Sequence, residues 1–240
     1  FSSIYLRYFL LSLFVLLLIF LSGISSRNLE NGYILSVWGN EIPSFESIFF
    51  KLYLSFIFLV LFIIVFPIAF AHHIHNITTT NYANIYLSRC ITRVELLIGT
   101  LLAFYSFFLV LTFLFVLIIM IYFWVITETI ILYMLIVSIP FLFLFLSSFT
   151  FLSALIITIN SIGNAALLYV IYIFLVNGLF INDVSSNLLI NIFSFIVPPI
   201  SQTLENIEQG YLINIIRSMT SLVLSLFVSA FIYQRKEFYN

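Results

Sequence analysis

Residues 72–99 read HHIHNITTTNYANIYLSRCITRVELLIG, a polar island set between two apolar walls. Three histidines open it, a run of threonines follows, and Arg89, Arg93 and Glu95 stand toward its end. The apolar run resumes at Leu96 and continues to Trp124, and another, residues 48–70, lies ahead. Each wall reaches the ~20 residues that a helix needs to cross a bilayer. The island therefore reads as the place where the chain leaves lipid and re-enters it, a water-side handle on a membrane protein.

Composition points the same way. Of 240 residues, 64% are hydrophobic and 7% charged, with 30 Phe and 14 Tyr. A soluble domain carries about 25% charged residues, so this chain could not cover its own surface in water. A net charge of -1 gives no argument for nucleic acid, and the single Cys90 makes neither an internal disulfide nor a cysteine metal cluster. The chain opens at Phe1 rather than Met, so its start is not read as a native terminus. Ser22-Gly23-Ile24-Ser25-Ser26 imitates a leader cleavage site, but five further apolar segments make a retained first span the more economical reading.

The apolar runs predict an all-α integral membrane fold with six spans, at about 4–23, 48–70, 96–124, 130–159, 165–181 and 211–233. Residues 25–47 form a wet loop whose apolar patch at 33–38 suits a short interfacial element. Lys51 can snorkel from the start of span two, and Pro67 falls near its end, where a lost backbone bond matters least. Span three exceeds one crossing, which predicts tilt or projection. Pro140 predicts a kink in span four. A polar break at 160–164 separates spans four and five. Within the loop 182–210, residues 188–200 are apolar but too short to cross and stop at Pro198-Pro199, which suits a re-entrant or interfacial element.

Lys and Arg near the span ends decide orientation. With both termini inside, the inner side holds Arg7, Arg89, Arg93, Arg235 and Lys236 and the outer side Arg27, with Lys51 and Arg217 just within spans. The reading is thus a multi-pass protein of the cytoplasmic (inner) membrane, with outer loops at 25–47 and 182–210 and a cytoplasmic segment at 72–95.

Three stretches carry a family resemblance: LSRCITRVELLIGTLLAF at 87–104, IVPPISQTLENI at 196–207 and FIYQRKEF at 231–238. They resemble, in order, the basic entry to the third helix, the outer loop before the last helix and the basic C-terminal stop of the membrane (permease) subunits of type-2 ABC transporters. His72, His73, His75 and the threonine run depart from the family, which often carries an acidic residue and a Gly before its coupling helix. The resemblance implies a half-transporter, an exporter, that pairs with a second permease copy or a homologue and docks a separate ATPase carrying ATP and Mg. In that reading residues 76–93 form a short coupling helix. Tyr82, Ile85 and Tyr86 are its apolar anchors, and Arg89 and Arg93, at helical spacing, reach acidic partners beside Glu95. The residues themselves agree on one point, since no Gly-rich Lys-Ser/Thr phosphate loop is present and no catalytic role is expected of this chain.

Each candidate has a plainer reading. Arg89 and Arg93 also suit a simple positive-inside anchor. The near-adjacent spacing of His72, His73 and His75 does not bring three ring nitrogens to one helical face, so solvated interfacial histidines are preferred to a metal site. Cys90 reads as a small packing residue, and Asn76-Ile77-Thr78, a glycosylation acceptor, is silent on an inner face. Arg217 lies roughly 9 Å into the last span at about 1.5 Å per residue, shallow enough to snorkel or to pair with Glu205 or Glu208. Two stripes, Ser147, Thr150, Ala154 and Thr158 on span four and Ser221, Ser225 and Ser229 on span six, suit close helix packing. With Arg217 they are also the candidate translocation path. The abundant Phe reads as lipid-facing filler. The alternative class is a hydrophobic structural or proton-handling subunit of a respiratory or ATP-synthase-like complex, but proton handling needs charged residues within spans, and beyond Arg217 and the boundary-proximal Lys51 the reading offers none. An intramembrane enzyme lacks its signature, since the one Asp, Asp183, falls in a loop.

Overall fold

A computed structural model describes residues 15, 22–29, 32–37, 39–41, 63–79, 91–127, 133–176, 198, 200 and 211–235. The chain divides into two compact units, Phe1–Phe56 with Leu114–Ile136, and Ile57–Phe113 with Val137–Asn240. Helix dominates. In chain order the described helices are α1 (Phe66–Thr79), α2 (Arg93–Thr127), α3 (Tyr133–Ile159), α4 (Ile162–Ile171, prolonged by a π-helical turn Tyr172–Val176) and α5 (Tyr211–Arg235). Three of them, over Arg93–Val125, Ser138–Ile159 and Leu212–Arg235, are long and apolar enough to cross a membrane. This is a predominantly helical, membrane-embedded protein. Predicted span one, apart from Val15, Ser22 and Gly23, and the first part of span two lie outside the described residues.

The first unit holds a departure from helix. Strands β1 (Ile24–Leu29), β2 (Gly32–Val37) and β3 (Asn40–Glu41) form an antiparallel meander. The patch read as an interfacial element is thus β2, and the reason is local. Leu29 pairs with Gly32 and Val37 with Asn40, so each reversal leaves two residues, and Gly39 takes the positive φ of 83° that a tight reversal asks of glycine. Ser25 and Ser36, in register, share a hydroxyl–hydroxyl bond of 2.7 Å across the strands. The Tyr122 hydroxyl of α2 donates to the Ile24 carbonyl at 3.2 Å and ties the sheet to the helix.

In the second unit α1, α2 and α3 pack through aromatic rings. Phe66 meets Phe108 edge-on at 4.1 Å, Phe108 meets Phe145 at 3.8 Å, and Phe70–Phe104 and Phe104–Phe149 continue the cluster at 5.1 and 5.3 Å. Tilted and edge-to-face pairs align ring edges with ring faces, which adds to plain dispersion. Reading phenylalanine as filler is therefore corrected: these rings are buried, while Phe113, Phe174, Phe227 and Phe231 face outward. With lipid outside, side-chain shape decides what goes in, because burial brings no hydrophobic gain.

Prolines and caps set the helix ends. Pro67 lacks an N–H and crowds the carbonyl four residues back, and a π-helical turn at 63–65 stands there. Pro67 is the second residue of α1, so it stands at a helix start and not at the exit from a span, and α1 runs on through the histidines to Thr79. Between α3 and α4 the break is two residues wide. Asn160 adopts the left-handed conformation (φ 58°) that stops α3, and Ser161 caps α4 by accepting from the Asn164 N–H at 3.5 Å. At 35 residues α2 is about 52 Å long, well beyond a hydrocarbon core of ~30 Å.

Candidate functional site

The last helix turns its polar side inward. Asn214, Ser218, Ser221, Ser225, Ser229 and Tyr233, each one helical turn from the next, are all buried, whereas Leu212, Ile213, Ile216, Met219, Val223, Leu224, Phe227, Val228 and Phe231 are exposed. Apolar residues on the outside suit lipid. Hydroxyls on the inside need a separate reason, because leucine there would leave no polar group to satisfy. A buried serine commonly donates to the carbonyl one turn back, as Ser229 does to Ser225 at 2.6 Å. Ser218 and Ser221 are fully buried, and their hydroxyls meet no hydrogen-bond partner among the described residues. A buried hydroxyl left this way costs about 1–3 kcal/mol. The α5 face therefore holds hydrogen-bonding capacity that its own helix leaves unused. Arg217 sits half-buried beside it with its Nε buried.

The stripe on α3 is chemically different. Ser147 donates to the Leu144 carbonyl at 2.9 Å, Ser153 to Phe149 at 2.8 Å, and Thr150 bonds the Leu146 carbonyl and, at 2.6 Å, the Tyr105 hydroxyl of α2. Ala154 is buried and Thr158 exposed, the latter bonded to Ala154 and Leu155 carbonyls. Ser147 and Thr150 make no hydrogen bond to Ser221 or Ser225 among the described residues. Of the candidate path residues, those on α3 are saturated within their own packing, and Ser221 on α5 is not.

The handle differs from a free-standing coupling helix. Asn76, Ile77, Thr78 and Thr79 are the last turn of α1, not the first turn of a new element. Thr78 bonds the Ile74 and His75 carbonyls at 3.0 Å each, and the Tyr233 hydroxyl of α5 donates to the Ile77 carbonyl at 3.1 Å, meeting one of the acceptors that a helix end leaves over. Tyr82, Ile85, Tyr86 and Arg89 lie outside the described residues. Arg93 is the first residue of α2, and Ile91 and Thr92 before it are not helical, so one continuous helical spacing from Arg89 to Arg93 does not hold. Thr92 and Glu95 explain the break. The Thr92 N–H donates to the Glu95 carboxylate at 2.8 Å and the Glu95 N–H to the Thr92 hydroxyl at 3.3 Å, a reciprocal capping box. Glu95, exposed, thus has a local task in starting α2. His73 lies against the rings of Phe70 and Phe104 at 6.1 and 6.3 Å, and burial, then neighbouring His72, hold its pKa below the ordinary histidine value.

Asn214 and Ser218 were missed in the sequence, although both fall on the helical register of Ser221, Ser225 and Ser229. The Thr-x-x-Glu signature of the capping box was equally legible. No protein family, curated protein or solved structure matches the chain.

Proposed function

We propose that this chain is the permease subunit of an ABC transporter of the type-2 kind, an exporter with six spans, both termini cytoplasmic and a re-entrant element before the last helix. A separate ATPase subunit handles ATP and Mg, and a second permease copy or a homologue completes the membrane part. The observation that carries the reading is the inward polar face of α5. Close packing in a lipid-embedded brace asks only for small side chains, and the amide of Asn214 and the hydroxyls of Ser218, Ser221, Ser225 and Ser229 add hydrogen-bonding capacity, turned away from lipid, that such packing does not require. A half-transporter has one, because a path between two halves needs a wall that is neither charged nor greasy. The 72–95 segment supports the same division of labour, as a basic, aromatic-bearing handle next to Arg93, where a motor subunit would grip.

Cys90, the single cysteine, makes the test direct. A membrane-impermeant maleimide should leave it unlabelled in intact cells and label it in inside-out vesicles. Mild-detergent purification should then bring down a nucleotide-binding ATPase chain, and Arg89→Glu with Arg93→Glu should release that chain while insertion stays normal. Labelling from outside, or a preparation that carries redox or rotary-complex subunits in place of the ATPase, would defeat the proposal.

A further inference from the structure

Two tyrosines one turn apart on α4 each grip a backbone carbonyl at or near a proline elsewhere in the same unit. The Tyr169 hydroxyl donates to the Ile63 carbonyl at 2.7 Å, and the Tyr172 hydroxyl donates to the Pro198 carbonyl at 2.6 Å. Ile63 is the acceptor that Pro67 leaves without its i+4 donor, because a proline nitrogen carries no hydrogen. Tyr169, Ile63 and Pro67 are all buried, which sets the missing donor's place away from bulk water. The π-helical turn at 63–65 lies at the point of the loss, and α4 itself passes into a π-helical turn at Tyr172. Such turns loosen the hydrogen-bond ladder and mark places where helices change direction.

From this we infer that α4 is a latch on a hinge: Pro67 frees the backbone at Ile63, and Tyr169 closes it again with a single side-chain bond that can be made and broken. A continuous helix would need several backbone bonds to open at once, whereas here one hydroxyl controls the joint. The lever it controls is α1, whose far end carries His72, His73, His75 and the start of the polar handle. Tyr172 holds the Pro198 carbonyl, which also accepts the Ile200 N–H at 2.9 Å. One short helix thus reaches both carbonyls. The inference holds whatever the cargo, and does not depend on the transporter reading.

A hydrogen-exchange cycle on the full-length protein in detergent tests it. Tyr169→Phe keeps the ring and removes the donor, so amide exchange in the 63–70 segment should rise about tenfold, as expected for a lost buried hydrogen bond. Exchange in strands β1 and β2, which belong to the other unit, should stay put. Pro67→Ala returns an N–H to Ile63, so adding Tyr169→Phe to that variant should change exchange less than twofold. Tyr105→Phe, which removes a bond to a side chain, should show no such dependence on Pro67. An equal rise in both backgrounds, no rise in either, or a rise spread evenly over the molecule would overturn the latch. Should Tyr169→Phe alone fail to yield folded protein, Pro67→Ala must restore it; failure to restore would also overturn it.

Discussion

Two interiors stand side by side in the second unit, one between α1, α2 and α3 and one along α5, and they follow opposite rules. The first is closed by phenylalanine rings in tilted and edge-on contact, with Ser147, Thr150 and Ser153 of α3 hydrogen-bonded and Ser148 the one α3 hydroxyl left without a partner among the described residues. The second is lined by Asn214 and four serines, two of them with hydroxyls that meet no partner among the described residues. Lipid tails solvate leucine and phenylalanine as well as a protein interior does, so neither surface is driven inward by the hydrophobic effect. What separates them is shape in one case and hydrogen-bonding capacity in the other. The ring cluster is built to stay; the hydroxyl face forgoes stability, which points to use.

That contrast breaks if the two surfaces answer mutation alike. Phe108→Ala, at the centre of the ring cluster, should cost about 3 kcal/mol in equilibrium unfolding from mixed micelles. This is the low end for a truncated Phe, because the unfolded side chain remains in lipid. Ser221→Ala should do the reverse and raise stability by about 1 kcal/mol, since it removes an unpaired group, and Ser229→Ala, which breaks a bond, should not share the gain. A destabilised Ser221→Ala protein would mean that the face is structural. Thr92→Ala, far from both interiors, should lower stability by about 0.5–1 kcal/mol through loss of the α2 cap, visible as reduced helicity by circular dichroism at a fixed temperature. The smallest effect belongs to His73. Its lowered pKa means that the fold prefers the neutral ring, so stability is intact above about pH 6.5 and falls as pH drops toward the folded-state pKa. His73→Phe should flatten that part of a melting-temperature profile, and an unchanged slope would remove His73 from the account.

The helices were legible where apolar runs end on strong punctuation. Asn160-Ser161 stops α3 and starts α4 with residue types suited to those two jobs, and the greasy run behind Arg93 is α2. Legibility failed where one residue type serves two environments. Phenylalanine suits lipid and packed interior equally, so composition could not tell Phe108 from Phe227. Histidine and threonine signalled an exit from lipid at residue 72, and they did not show that α1 continues to Thr79, because a helix leaving lipid keeps its backbone bonds whatever its side chains. The meander at 24–41 was hidden because six-residue apolar patches fit strand and interface alike until pairing partners are known. In the candidate site the serine stripe was readable from spacing, but not which stripe had its hydroxyls saturated, since that depends on carbonyl geometry.

The two-residue junction at Asn160 and Ser161 sets a rule for how this chain can vary. With no loop between α3 and α4, an extra residue placed after Ser161 and before Tyr169 has no slack to absorb it and turns the rest of α4 by about 100°. Such an insertion would aim the Tyr169 and Tyr172 hydroxyls away from their carbonyls together. Length changes in this protein should therefore collect elsewhere, and the spacing from residue 160 to 172 should be the most tightly kept ruler in its lineage.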